Sequence, residues 1–365
     1  MLEAKKVYEK TKTKTLEKEI ARCNNIQMAK KNSLNSAYGA IGNQYFRYFK
    51  LANAEAITLS GQVSIRWIEN RMNRKLNNIL KTEDIDYVIA SDTDSIYLNL
   101  GPFIDAVFEG REKNAEGVVD FLDKVCEVEF EKYISDSYQA LANYVNAYDQ
   151  KMFMKRENTA DRGIWTAKKR YILNVWDSEG VRYGDAKLKI MGIEAVKSST
   201  PAPCRTAIKD AINIMMNGTE KDLLDFVSTF RNKFDTLPPE DIAFPRSVNG
   251  LRKYKASSTV YSKGTPLHVR GTLLYNFHIS KNKLEYKYPL VQEGEKIKYL
   301  HLRRPNKINE NVISFLNTFP REIGLEGQID RDTQFEKSFL LPLQIITSVI
   351  GWETERKANL DFLFA

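Results

Sequence analysis

An α+β fold is predicted for this 365-residue chain by three features of its pattern. Residues 3–33 are rich in Lys, Glu, Ala and Gln and hold neither Pro nor Gly, which favours helix. Residues 86–100 set two β-type apolar runs around a polar Asp-Thr-Asp tip, the pattern of a hairpin. From 151 to 195, aromatic and β-branched residues alternate with charges, which predicts several strands. The simplest division is a mixed portion ending near residue 200, followed by a separate, mostly helical domain.

In chain order, residues 3–33 read as one or two charged helices. A second helical stretch covers 52–80 and ends in the polar run Asn-Arg-Lys-Leu-Asn-Asn. After the hairpin, 116–148 is helical by composition and periodicity, and strands follow to about 195. From Pro201 the pattern returns to helices at 203–216 and 220–235. A region punctuated by Pro and Gly runs from 237 to 306, and a last helix precedes the tail 360–365. There is no internal repeat and no low-complexity segment.

Lys and Arg number 55 against 47 acidic residues, a net charge of +8 with a pI near 9.1. That balance suits a polyanionic partner, because each phosphate neutralised by a cation releases counterions, and it equally fits a plain basic protein. The excess is local: residues 1–31 carry nine Lys/Arg against four Glu, and 151–200 carry eleven against six acids. Cys23, Cys126 and Cys204 show no zinc spacing with His268, His278 or His301 and are expected to be core or incidental thiols. No apolar run reaches membrane-spanning length, and the N-terminus has no secretory h-region, so an intracellular chain is expected.

Asp92 and Asp94 sit at the hairpin tip. Carboxylates this close repel unless a cation lies between them or one is protonated, and oxygen donors at such a tip suit Mg²⁺. Ile96 and Tyr97 stand where a calcium-binding EF-hand loop needs Asp or Asn and then Gly, which excludes that motif. An acidic turn whose side chains cap backbone groups fits the same residues, as does a sugar-nucleotide transferase metal site.

Lys31, Asn35 and Tyr38 fall at i, i+4 and i+7, on one face of a helix. A lysine, an amide and an aromatic ring in that order suit a phosphate, a nucleotide and a base pair. Gly39 removes a side chain where a backbone or base has to approach. A charged surface helix stopping at glycine is the competing reading. The apolar and small residues that continue to Phe49 argue for packing instead.

With these residues in view the sequence resembles the family B DNA polymerases, most closely the replicative class of T-even-type bacteriophages. Lys31-Asn-Ser-Leu-Asn-Ser-Ala-Tyr-Gly39 resembles the K-x-x-x-N-S-x-Y-G motif of the fingers. Ser91-Asp-Thr-Asp-Ser95 resembles the palm motif Y-G-D-T-D-S, with Ala90-Ser91 where Tyr-Gly is common. Trp165-Thr-Ala-Lys-Lys-Arg-Tyr171 resembles the K-K-R-Y palm motif, and the run from Lys189 to Pro201 resembles the palm-to-thumb junction. The resemblance implies a helical fingers remnant (1–50), an antiparallel-sheet palm with the catalytic hairpin (51–200), a mostly helical thumb (201–358) and a tail (359–365).

Roles follow from the resemblance position by position. It implies Asp94 as a ligand of two catalytic Mg²⁺ ions with Asp92 close by, and Glu157 behind those carboxylates. Lys31 would contact the dNTP triphosphate, with Asn35 and Tyr38 shaping the base-pair pocket and Gly39 facing the template. Lys168, Lys169, Arg170 and Tyr171 would track the primer-template DNA, and Lys197 would contact duplex phosphates. The implied reaction is in-line attack of the primer 3′-oxygen on the α-phosphorus of dNTP.

The family's other metal-binding aspartate lies in a D-x-x-S-L-Y-P-S motif that this sequence lacks, as it lacks the exonuclease and N-terminal domains. Triphosphate-clamping cations in this chain have Lys5, Lys6, Lys10 and Lys12 as candidates. A partner supplying the N-terminal polymerase part is therefore expected. The chain reads either as a subunit of a naturally split polymerase or as a piece of a longer one. Met1 inside a helix fits the first slightly better. In the tail, Leu360, Phe362, Leu363 and Phe364 form an apolar cluster that resembles the sliding-clamp peptide of phage polymerases. The expected location is the cytoplasm of an infected bacterial host. The alternative class is a DNA-binding processivity subunit that keeps the fold without chemistry.

Overall fold

The computed structural model describes residues 2–110, 114–256 and 259–356. The tail cluster Leu360, Phe362, Leu363 and Phe364 lies outside the described residues. The chain divides into two compact units, Met1–Asp161 with Asn174–Lys187, and Arg162–Leu173 with Leu188–Ala365.

In the first unit, α1 (Leu2–Thr11) and α2 (Lys14–Ile41) form from the Lys/Glu/Ala-rich run, and α3 (Leu51–Leu80) follows. The helix does not stop at Gly39: it continues to Ile41, and the cap is Gly42, whose N–H reaches the carbonyls of Ala40 and Tyr38. Neither α1 nor α2 buries a residue. The second half of α3 behaves differently. Ile68, Met72 and Leu76, spaced by four, are fully buried. They pack with Phe130, Ile134 and Tyr138, a second row spaced by four. Each such side chain contributes on the order of 2 kcal/mol.

The hairpin of β1 (Val88–Asp92) and β2 (Ser95–Leu98) joins this core through Tyr87, Val88, Ile96 and Leu98. What fixes it to α3 is a pair of asparagines one helical turn apart. The Asn73 carbonyl accepts from the backbone N–H groups of Tyr87 and Val88, both at 2.9 Å, and its amide donates to Asp86 at 2.8 Å. Asn77 donates to the Ile85 carbonyl at 2.8 Å and accepts from Ile85 N and Thr82 Oγ1. Backbone groups of a strand entrance are thereby paired with side chains.

Helices α4 (Gly101–Val107), α5 (Ala115–Val125) and α6 (Glu131–Tyr144) complete the helical part, α5 running into α6 through a π-turn at Cys126–Phe130. Arg156 ties α5 to the strand region: its guanidinium donates to Asp123 and to Asp177, which is 1% exposed and also paired with Arg182. A buried carboxylate is tolerated because two guanidiniums neutralise it. Strands β3 (Asn158–Ala167), β4 (Arg170–Ser178) and β5 (Val181–Met191) form a sheet in that order.

The second unit contains α7 (Ala202–Asn217), α8 (Glu220–Thr236), α9 (Pro239–Ile242), β6 (Phe244–Ser247), α10 (Leu251–Tyr254), α11 (Leu267–Lys281), β7 (Lys296–His301), β8 (Val312–Phe315), α12 (Arg331–Phe335) and α13 (Leu341–Ile350). A capping box of Thr219 and Asp222 starts α8. Phe230 and Phe234 of α8 meet Phe335 and Phe339 at centroid distances of 4.7–6.0 Å. Pro342 cannot donate a backbone hydrogen bond, and the chain widens into a π-turn over Glu336–Leu340 between α12 and α13. Strands β6, β7 and β8 form an antiparallel sheet that the sequence reading did not resolve. Gly271 lets α11 lie against it, since a Cβ there would stand 2.6 Å from Ser314 Oγ. Burial pushes the thiols of Cys126 and Cys204 up to about 11, which suits inert packing residues. Among the described residues no helix is long and apolar enough to cross a membrane.

Removing the Asn73 amide leaves buried backbone donors at Tyr87 and Val88 without partners. Asn73→Ala is expected to cost about 2–4 kcal/mol, read as a shift in the urea midpoint. Asn78→Ala, at an exposed position of the same helix, should change stability by less than about 0.5 kcal/mol.

Candidate active site

Asp92 ends β1, Ser95 begins β2, and these two residues are paired, so Thr93 and Asp94 alone make the turn. Thr93 has φ +58°, unusual for a β-branched residue, and the Asp94 N–H donates to the Asp92 carbonyl at 2.7 Å. This three-residue turn is tight and strained. Thr93 Oγ1 donates to Asp92 Oδ1 at 2.9 Å, and Ser95 Oγ donates to the Asp92 carbonyl at 3.1 Å. The hydroxyls flanking the two aspartates thus brace the turn, leaving Asp94 exposed and Asp92 half-buried.

Two carboxylates one residue apart provide hard oxygen donors, a set that fits Mg²⁺ bound partly by protein and partly by substrate phosphates and water. Among the described residues no group of three or more His, Cys, Asp or Glu side chains is arranged to hold a metal. Glu157 stands one residue before β3, where its carbonyl accepts from Glu179 N at 2.6 Å. The neighbouring Arg156 is fixed by its ion pairs and by its N–H, which donates to Glu131 at 3.0 Å.

Lys31, Asn35, Tyr38 and Gly39 lie on α2 with the one-face spacing expected, and all four are exposed. A Cβ on Gly39 would meet nothing within 4 Å, so that glycine keeps a helix surface open rather than turning the chain.

The second cluster belongs to the other unit. Lys168 and Lys169 form the two-residue connection between β3 and β4, with Lys169 at φ +61°. Arg170 makes a bidentate pair with Glu194, at 3.1 and 2.7 Å, and Lys197 donates to the same carboxylate at 2.9 Å. Burial alone would raise the Glu194 pKa, but the hydrogen bonds from Lys197 and Arg170 outweigh it and hold the carboxyl below its usual range. Tyr171 is buried, its ring 6.4 Å from that of Trp165. Gly192, at φ +67°, passes so close that a Cβ would lie 2.3 Å from the Lys169 carbonyl.

Sequence reasoning singled out the cations of this cluster and missed the residues that organise them. Glu194 and Gly192 were visible only as part of the run beginning at Lys189. A lone acid amid basic residues and a glycine before it were the available signals. The Asn73 and Asn77 clamp was likewise read as a polar helix end.

Tyr138, packed in the core under the hairpin, has its phenol pKa raised, first by burial and then by the negative charge of Asp94. Asp94→Asn is therefore expected to lower the Tyr138 pKa, since the phenolate would no longer form near a carboxylate. Titration of ¹³C-labelled tyrosines by NMR checks this, and an unmoved Tyr138 midpoint would contradict the placement of Asp94.

Comparison with known proteins bears on the family of the chain. The family model for DNA polymerase family B matches residues 1–137, which include α2 and the hairpin. The DNA-directed DNA polymerase of Escherichia phage RB69 is 36% identical over 381 residues, covering 99% of this chain and 42% of the relative. That of Enterobacteria phage T4 is 35% identical over 360 residues, covering 95% of this chain and 40% of the relative. The chain thus spans about two fifths of the length of the curated relatives it matches. It belongs to DNA polymerase family B and corresponds to a C-terminal portion of the family's phage members.

Proposed function

We propose that this chain carries one side of a two-metal DNA polymerase active site, the other side being supplied by a segment N-terminal to it in its relatives. The observation that carries the reading is the Asp92–Thr93–Asp94 turn, two carboxylates held on a braced hairpin within the region that matches the family. On this reading residues 1–50 are the C-terminal part of the fingers, 51–200 the palm, 201–358 the thumb and 359–365 a clamp-binding tail.

Asp92 and Asp94 would hold the Mg²⁺ ions, with Glu157 behind them. Those ions, when bound, lower the pKa of the attacking primer 3′-oxygen and balance charge on the departing pyrophosphate. The chain's own residues supply position and charge. Lys31 approaches the dNTP phosphates from α2, and Asn35 and Tyr38 on the same face border the new base pair. Lys168 and Lys169, at a turn tip, are placed for the primer-template backbone. Arg170 and Lys197 act there through Glu194, which orients both cations.

Dependence on an N-terminal part has physical support. Ile26, Met28 and Leu34 on α2, and Ile57, Leu59 and Val63 on α3, are each 46–74% exposed. Long helices with uncovered apolar residues gain stability when another surface covers them. A polymerase of this kind would copy DNA in the cytoplasm of an infected bacterial host and engage a sliding clamp through Leu360, Phe362, Leu363 and Phe364.

Asp94→Ala in the assembled enzyme is expected to reduce primer extension by about a thousandfold or more. Duplex affinity, set by the cations, should stay close to wild type. Steady-state extension and a fluorescence binding titration read the two quantities. Retained extension would refute the metal-site assignment and favour a non-catalytic processivity subunit.

A further inference from the structure

In the first unit, the pair of helices α3 and α6 carries rings and cations in alternation. On α3 the buried row Ile68, Met72 and Leu76 is flanked by Trp67, Arg71 and Lys75, again spaced by four. The Arg71 guanidinium lies over the Trp67 ring, 4.8 Å from its centroid, and the Lys75 ammonium over Tyr133 of α6 at 4.5 Å. Lys75 also pairs with Glu129 at 3.5 Å. Trp67 is fixed, since its Nε1–H donates to the Ser137 carbonyl at 2.9 Å. On it stacks Tyr144, the last residue of α6, with centroids 6.0 Å apart and planes 24° from parallel. Tyr144 is nevertheless 80% exposed. A ring ordered by one stacking partner and open to solvent is a preformed surface for a further planar group, at little cost in entropy.

The charge beside this stack is of one sign. From residue 64 to 80, α3 carries Arg66, Arg71, Arg74 and Lys75 against Glu69 alone. Arg66 and Arg74 are exposed, on the row adjoining Trp67 and Arg71, about 12 Å apart along the helix. On α6 the exposed Lys132 and Asp136 balance one another. Open rings next to a row of cations fit a polynucleotide whose bases are unpaired, because every base has a face to stack and every linkage a negative charge. In a duplex the bases already stack on each other. An apolar protein partner has no use for the arginine row.

We propose that Trp67 and Tyr144, with Arg66, Arg71 and Arg74, form a contact for single-stranded DNA outside the catalytic hairpin. A base stacks on the open face of Tyr144, and the backbone follows the arginines of α3. Tyr144 lies six residues beyond Tyr138 on α6, about 9 Å of helix rise from the residue packed under the hairpin. An unpaired strand held there stays near the hairpin without occupying it. The contact goes beyond the metal-site reading and does not depend on it.

Fluorescence anisotropy of a labelled oligo(dT) of about a dozen nucleotides, titrated with the full chain, tests it. Tyr144→Ala is expected to weaken oligo(dT) binding about fivefold or more, and Tyr144→Phe, which keeps the ring, to restore it. Both variants should bind a blunt duplex as the wild-type chain does. The double variant Arg66→Gln, Arg74→Gln should lower the salt slope of oligo(dT) binding by about 1.4. Because Tyr144 and both arginines are exposed, these changes leave the core intact, which circular dichroism checks. Wild-type affinity for oligo(dT) in Tyr144→Ala would overturn the proposal, as would an equal loss on the duplex or an unchanged salt slope. Loss of oligo(dT) binding when a polypeptide carrying the N-terminal part is added would overturn it too, making this surface a protein interface.

Discussion

Everything proposed for the hairpin depends on the two asparagines that hold it to α3. A β-hairpin of two short strands is marginal by itself, and among the described residues this one pairs with no third strand. Asn73 and Asn77 replace that strand, binding backbone groups of 85–88 from a helix whose next turns are buried under Ile68, Met72 and Leu76. The rigidity of a packed helix is thereby transmitted to a turn about five residues away. Thr93 at positive φ persists because both strands leading to it are anchored.

Charge is handled in two opposite ways in the first unit. Asp177 is buried and neutralised by Arg156 and Arg182, so it fastens structure. Asp92 and Asp94 stand at a solvent-facing turn, where hydroxyls brace the backbone and the carboxylates remain accessible. In the second unit Glu194 joins Arg170 and Lys197 without being fully buried. Its effect is to orient cations beside an exposed lysine turn. The basic excess read from composition is thus partly consumed by ion pairs, and partly left on tips and helix faces.

How far the sequence could be read follows from the same physics. The hairpin was legible because apolar alternation stops at a polar tip, and the long helices because nothing in 14–41 opposes helix strongly enough. The helix runs on through Gly39, since a single glycine costs about 1 kcal/mol in a helix and 28 residues absorb it. The sheet of β6, β7 and β8 and the helix α11 were hidden by the Pro and Gly that connect them, at residues such as Pro266 and Gly294. The roles of Asn73, Asn77, Gly192 and Glu194 depend on non-periodic partners, such as Val88 for Asn73, Ile85 for Asn77 and Arg170 for Glu194, or on a close backbone approach, which periodicity does not report. Lys31, Asn35 and Tyr38 were placed correctly on one helix face, and the turn of Asp92 and Asp94 was located correctly.

The central claim is that this chain holds one side of a metal site whose other side lies on a different segment. Primer extension with Mg²⁺ tests it most directly, comparing the purified chain with the chain mixed with a polypeptide carrying the D-x-x-S-L-Y-P-S segment. Extension confined to the mixture is the predicted result. Robust extension by the chain alone would contradict the account.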